Sequence, residues 1–129
     1  MQFELEAKIV TAERTEFGWT VGFGDDPIDT TEYLLLGRGV EDDGQDIRLG
    51  MATYHVEING QGASCYGGIS TLDLRPGRLS ITFAPEGAAR LGWGQASITF
   101  DLPPDGLYNL KDVLRHVFAG SDVCTTGLE

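Results

Sequence analysis

The sequence predicts a single α+β domain, in which a mostly antiparallel sheet of about seven strands packs on a C-terminal helix. A second, short helix is expected before the last strand. Apolar and polar residues alternate through most of the chain before residue 100, which is typical of half-buried strands. Glycine and proline turn signals separate these segments, and one late stretch has apolar residues at helical spacing.

Three strands are predicted in the first part of the chain. Over residues 3–9 every second residue is apolar, and over 17–23 aromatic and valine side chains alternate with glycine and threonine. The glycine-rich face of the second strand either exposes backbone or lets another element pack closely, and we expect a helix to cover this strand. Residues 33–36 predict a strand that is buried on both faces.

Residues 50–74 predict a long, kinked hairpin around which the rest of the chain is organised. Asn59-Gly60 is the strongest turn signal, because both residues tolerate the positive φ that tight hairpins require. Gly67-Gly68 interrupts the returning strand, and we expect a β-bulge there rather than a ligand-binding backbone.

The remaining elements follow in order. Pro76-Gly77 fits a type II turn, and residues 85–91 predict a short helix with proline in its first turn. A strand over residues 96–100 precedes a helix whose apolar stripe consists of Leu107, Leu110, Val113, Leu114, Val117 and Phe118. Gly120 ends this helix, so residues 1–120 form the domain and residues 121–129 are expected to be a flexible tail.

The charge is strongly acidic, with 20 acidic and nine basic residues and a formal net charge of −11. This balance argues against nucleic acid or anionic lipid as a partner, because both attract basic surfaces. It suits either simple solubility or the fast capture of a basic protein. No apolar run reaches the length of a membrane span, and the N-terminal residues do not resemble a signal peptide. We therefore expect a cytoplasmic protein.

An enzymatic function has weak candidates only. Ser64 or Cys65 beside His55 could form a nucleophile and its base. A three-residue hairpin turn would place His55 opposite Cys65, whereas two- or four-residue turns would put them on opposite faces. The two cysteines are expected to be reduced thiols without a disulfide framework. The sequence thus predicts no catalytic residue.

Metal and cofactor motifs are equally weak. Asp42, Asp43 and Asp46 surround Gly44, but the alternating acids and the closing glutamate of a calcium loop are absent. The histidines and cysteines have no zinc spacing, and GFGDDP is no dinucleotide fingerprint. We predict neither a metal nor a cofactor.

Two short motifs give a family resemblance. GMATYHVE at residues 50–57 and CYGGI at 65–69 resemble the Gly-Met-x-Thr-Tyr and Tyr-Gly-Gly-[Ile/Val] signatures of the immunity protein 10 family of bacterial polymorphic-toxin systems. The leucine-rich strand before them and the Leu-x-Ile-x-Phe strand after them extend the resemblance over residues 31–118. The resemblance implies a binding protein that neutralises a toxin.

The function expected from the resemblance is an immunity protein that occludes a cognate toxin domain stoichiometrically. The acidic charge adds the expectation of a basic toxin such as a nuclease. Our candidate contact residues are Glu41, Asp42, Asp43 and Asp46, in the most acidic connection, and Trp93 as an apolar anchor. The alternative is a small acidic secretion or folding chaperone, which would expose the C-terminal apolar stripe as a groove. Monomer and homodimer both remain open.

Overall fold

The computed structural model describes residues 2–16, 18–39, 54–60 and 63–128, which form ten strands and two helices. The strands are β1 (Gln2–Glu6), β2 (Ile9–Thr15), β3 (Gly18–Gly24), β4 (Tyr33–Gly39), β5 (His55–Ile58), β6 (Ser64–Tyr66), β7 (Ile69–Arg75), β8 (Arg78–Phe83), β9 (Gln95–Thr99) and β10 (Cys124–Thr126). The helices are α1 (Pro85–Leu91) and α2 (Pro104–Val117). The α+β class and both predicted helices are confirmed, with more strands than expected.

The strands form two five-stranded sheets instead of the single sheet that we predicted. Sheet I has the order β1-β9-β8-β7-β10, and sheet II has the order β2-β3-β4-β5-β6. Sheet II is antiparallel throughout. In sheet I the outer strands β1 and β10 run parallel to β9 and β7, so this sheet is mixed.

The chain first changes sheets at Ala7 and Lys8, where the sequence alternation suggested one continuous strand. The Ala7 amide donates to Thr99 O of β9 at 2.7 Å, and the Lys8 amide donates to Gly24 O of β3 at 2.8 Å. Successive amides therefore pair with different sheets. The strand predicted over residues 3–9 is in fact β1 in sheet I and the start of β2 in sheet II.

The chain changes sheets again at Gly67 and Gly68, which have φ values of 77° and 90°. The first part of the predicted hairpin is confirmed, since β5 and β6 pair around Asn59 and Gly60, both at positive φ. The returning strand, however, does not continue past the glycines. It turns a corner there and starts β7 in sheet I, with a register irregularity between Ile69 and Thr71. The predicted kink is thus a corner between the two sheets.

One buried cluster joins both sheets and α2. The helix packs against β2, β3 and β4 with its buried side chains Leu110, Val113, Leu114 and Val117. Trp19 of β3 stacks on His116 at a centroid distance of 5.0 Å, so α2 lies on the aromatic side of that strand. A helix covers β3 as predicted, but it does so on the side opposite to the glycines.

Arg38 of β4 fixes the end of α2. Its guanidinium donates to Val117 O at 3.4 Å and to Ala119 O, so a cation sits at the C-terminal end of the helix, where the helix dipole is negative. The helix ends at Val117 with Phe118 as its C-cap, so Gly120, which we predicted as the stop, lies two residues beyond the cap, at a φ of 73°.

The C-terminal residues join the sheet. Residues 124–126 form β10 beside β7, whereas the sequence suggested a flexible tail after residue 120. Val123 and Leu128 on either side of β10 are buried. Three residues are too short a strand to show period-2 alternation, which explains why the pattern missed it.

We expect Gly87→Ala to destabilise the protein by about 1–3 kcal/mol, because a Cβ at Gly87 in α1 would lie 2.2 Å from the backbone oxygen of Gly68. Gly106→Ala in α2 is the matched control. Its Cβ would come no nearer than 3.3 Å to Leu102, and alanine favours a helix, so stability should be unchanged or slightly higher. Urea unfolding of both variants measures the difference. Equal stabilities would contradict the close contact of the two backbones.

Candidate protein-binding surfaces

Of the two candidate nucleophiles, Ser64 lies on the same face of the β5–β6 pair as His55 but opposite Glu57, and Cys65 lies on the other face. In the β5–β6 pair His55 lies opposite Tyr66, and Val56 lies opposite Cys65, as expected for a four-residue turn. Cys65 therefore points into the core, whereas His55 points away from it and contacts the Tyr66 ring at 4.9 Å. Burial raises the pKa of the Cys65 thiol, which lowers its reactivity.

The predicted binding residues fall into two groups. Glu41, Asp42, Asp43 and Asp46 lie outside the described residues. Trp93 is half-buried, and its ring meets that of Phe3 edge-on at a centroid distance of 5.4 Å. Trp93 thus covers one edge of the core beside β1 and keeps part of its surface exposed.

Metal-binding geometry is also absent from the described part of the chain, where no three His, Cys, Asp or Glu side chains converge. In the same part, neither helix is long and apolar enough to cross a membrane.

The side of sheet II that faces away from α2 forms a distinct surface, which we call the outer face. Strand alternation places on it every residue that alternates with the buried Val21, Leu36 and Val56. These include Ile9, Thr11, Glu13, Thr20, Gly22, Gly24, Tyr33, Leu35, His55, Glu57 and Tyr66. Leu35 and Tyr33 are only half-buried, so β4 is not buried on both faces as we predicted. At the described strand positions of this face there is neither lysine nor arginine.

A shallow groove of about 310 Å³ crosses the outer face between Ile9, Tyr33 and Leu35. Its floor is the backbone of Gly22 and Gly24. A Cβ at Gly22 would lie 2.9 Å from Thr11 Oγ1 and 3.0 Å from Leu35 Cδ2, so any side chain there would fill the space. Gly22 and Gly24 are themselves buried, because side chains of the neighbouring strands and loop close over them. The glycines therefore allow close packing, which was the second of the two alternatives.

The wall of the groove is held by side-chain hydrogen bonds. The Tyr33 hydroxyl donates to Glu57 Oε2 at 2.5 Å, and this bond to the carboxylate raises the pKa of the Tyr33 phenol. The Tyr33 amide donates to Asn59 Oδ1 at 2.7 Å, which also ties the β5–β6 turn to β4. The groove is thus built from fixed side chains.

The loop between β3 and β4 lies beside the groove and is organised by two aspartates. The Asp25 carboxylate accepts hydrogen bonds from the hydroxyl and the amide of Thr31, at 2.6 and 2.9 Å, and from the Glu32 amide. Asp26 Oδ1 accepts from the amides of Ile28 and Asp29. These bonds lower the pKa of both carboxyls.

The same loop presents an apolar tip. Ile28 is 94% exposed, the highest value among the large apolar side chains of the described residues, followed by Tyr108 at 69% and Tyr66 at 51%. Sequence reasoning missed Ile28 and Tyr66. The signal for Ile28 was available, since one aliphatic residue stands alone in the acidic run Asp25-Asp26-Pro27-Ile28-Asp29. We call residues 25–32 the Ile28 loop.

The profile of immunity protein 10 matches residues 6–107, more than three quarters of the chain. The chain belongs to the immunity protein 10 family. It is thus related to proteins that protect against a bacterial toxin, and the resemblance noted from the two motifs is confirmed. No curated protein matches the chain.

The described parts of the two immunity protein 10 motifs meet at Tyr54. The Tyr54 carbonyl accepts from the Gly67 amide at 2.9 Å, and its buried hydroxyl accepts from the Ile69 amide at 2.9 Å. Residues 50–53 of the first motif lie outside the described residues. In this immunity protein the motif residues therefore build the corner between the sheets.

Native thiol labelling should modify Cys124 alone. Cys124 is exposed on β10, whereas Cys65 is buried and donates from Sγ to Gly67 O at 3.2 Å. With an alkylating reagent at neutral pH, we expect one modification per native chain by mass spectrometry and two after denaturation. The Cys124→Ser variant is the control and should remain unlabelled while folded. Rapid native labelling of Cys65 would instead revive the hydrolase hypothesis.

The Ile28 loop should keep its structure on acidification until the pH falls below the ordinary aspartate range. Because folding lowers the pKa of Asp25, its contribution is complete above the unfolded pKa of about 3.9 and is lost as pH falls through the lower folded value. The amide NMR signals of Thr31 and Glu32 report this change.

Their titration midpoint should lie below about 3.9, and the titration should vanish in Asp25→Asn. A midpoint at or above that value would show that the carboxylate does not hold the loop.

Proposed function

We propose that this protein neutralises its toxin by binding it stoichiometrically and covering its active site or substrate groove, without catalysing a reaction. Membership of the immunity protein 10 family supports a toxin as the binding partner. The placement of His55 and Cys65 on opposite faces of β5–β6 argues against a cysteine hydrolase. The buried stripe of α2 supports the proposed binding role, because the chaperone alternative requires that stripe as an exposed groove.

We further propose that the toxin domain is basic, as a nuclease would be. The observation that carries this step is the excess negative charge, −11 in total, which the protein does not neutralise internally. Among the described residues, ion pairs involve only Glu6 with Lys8 and Asp73 with Arg75. The electrostatic field of this negative charge attracts a cationic partner and accelerates its association.

Glu41, Asp42, Asp43 and Asp46 stay our candidates for electrostatic contact, since they are four acids within six residues of the sequence. Trp93 stays a candidate anchor, because part of its ring is exposed. We place the complex in the cytoplasm, where the free thiols Cys65 and Cys124 would persist.

Capture from lysate of the source strain tests this function. The immobilised protein should retain one stoichiometric partner at low salt and release most of it at high salt, because exposed charges are screened beyond about 3 Å at 1 M salt. The partner domain expressed alone should arrest growth, and co-expression of this protein should restore it.

A variant with Glu41, Asp42, Asp43 and Asp46 changed to amides should associate more slowly, by roughly tenfold. A complex insensitive both to salt and to these changes would exclude the acidic mechanism. Retention of many unfolded clients would favour a chaperone instead.

A further inference from the structure

We propose that the outer face of sheet II, with the Ile28 loop beside it, is the surface that docks the toxin, and that it fits a folded domain with a cationic surface. The inference rests on the proposed function. It adds the face that makes the contact and the chemistry of the opposing surface, neither of which follows from the family.

Exposed apolar area favours this face over the others. Of the three exposed large apolar side chains in the described chain, Tyr66 lies on the outer face and Ile28 lies in the loop beside it. The third, Tyr108, belongs to α2, which packs on the opposite side of sheet II. Aromatic and aliphatic side chains that fill a partner's hollows supply much of the binding energy in protein interfaces.

The groove supplies the complementary hollow. Its volume of about 310 Å³ lies between the apolar side chains of Ile9, Tyr33 and Leu35, above the buried Gly22 and Gly24. The Tyr33–Glu57 hydrogen bond fixes one wall, and the Asp25 and Asp26 carboxylates fix the neighbouring loop. A surface ordered before binding loses little conformational entropy on docking.

The charges of the outer face and the Ile28 loop indicate which kind of partner fits them. Glu13 and Glu57 lie on the face, three aspartates lie in the loop, and the described strand positions of the face hold no opposing cation. A second copy of the chain would bring equal charges together, so this face does not suit a symmetric dimer. A cationic domain would place lysine or arginine opposite these carboxylates and an apolar side chain in the groove.

The outer face of sheet I lacks both features. Arg75 and Arg78 balance Asp73 and Glu4 there, Lys8 pairs with the third acid, Glu6, and the other residues include serine, threonine and glutamine. In the described chain, that face carries no large exposed apolar side chain. Its polar strands therefore provide the control surface.

Two lysine variants distinguish which of the two outer faces binds the toxin domain. Thr20→Lys adds one positive charge to an exposed strand position on the outer face of sheet II, and Thr99→Lys adds the same charge on sheet I. We expect Thr20→Lys to weaken binding of the captured toxin domain at least about tenfold. Thr99→Lys should stay within about twofold, because its only effect on the complex is the change in net charge.

Two alanine variants test the apolar contact in the same way. Tyr66→Ala should weaken binding about tenfold or more, and Tyr108→Ala, which removes an exposed tyrosine from α2, should leave it nearly unchanged. Circular dichroism and urea unfolding of all four variants confirm that the fold is kept. Equal effects of the members of each pair would overturn the proposal.

A second measurement does not require the toxin. Titration of the isotope-labelled protein with lysozyme, a small folded cationic protein, should shift NMR signals of Thr20, Glu57 and Tyr66 more than those of sheet I. Shifts that are spread evenly or centred on sheet I would overturn the proposal. A sedimentation coefficient of Thr20→Lys that differs from that of the wild-type protein would also overturn it, because it would indicate that this face forms a dimer. Should the wild-type protein rescue no toxin, the proposed function fails while the lysozyme titration still decides the face.

Discussion

The structure depends on the corner at Gly67 and Gly68, where the chain passes from sheet II to sheet I. The corner requires two successive positive φ values, which glycine adopts without a steric penalty. Tyr54 holds one side through its carbonyl and its buried hydroxyl, and the Gly68 carbonyl accepts from the Ala84 amide at the start of α1 at 2.8 Å. Gly87 then packs directly on Gly68, at a distance that excludes any side chain. Most strand pairs join neighbours along the chain, apart from β1–β9 and β7–β10, but this corner sets how the two sheets meet.

The same corner explains why Tyr54, Gly67, Gly68 and Ile69 of the family motifs do not identify the toxin-binding surface, whereas the exposed motif residue Tyr66 lies on the proposed docking face. Tyr54, Gly67, Gly68 and Ile69 satisfy backbone groups that would otherwise be unpaired in the interior, and such groups are costly to leave unpaired. The fold itself requires the side chain of Tyr54 and the positive φ values of the two glycines. Discrimination between toxins therefore has to come from residues with free surface, and the outer face of sheet II provides such residues without disturbing the core.

The features predicted correctly from the sequence are those that a few neighbouring residues determine. Both helices, the Asn59-Gly60 turn and the Pro76-Gly77 turn depend on the conformational preferences of a few neighbouring residues, and all four are found. Division into two sheets depends on which strands pair across the chain, and alternation at residues 3–9 is the same whether the strand continues or turns a corner. The exposure of Leu35 was hidden for a related reason, because a run of leucines does not show which face remains uncovered. Trp93 was identified as an aromatic outside the strand pattern, while the apolar tip at Ile28 was overlooked in an acidic loop.

The distribution of basic residues connects this fold to its charge. Arg38 holds the end of α2, and Arg14 lies 5.6 Å from the Trp19 ring. Lys8 pairs with Glu6 at the end of β1, and Arg75 pairs with Asp73 on its own strand. These cations thus serve the fold, and in the described chain no cation pairs with the acids on the outer face of sheet II and in the Ile28 loop, three of which, Asp25, Asp26 and Glu57, accept hydrogen bonds. A net charge of −11 opposes compaction by self-repulsion, so the isolated protein bears a cost that a cationic partner removes. Toxin binding would then stabilise the immunity protein twice, through contact on the outer face and through relief of repulsion across the whole domain.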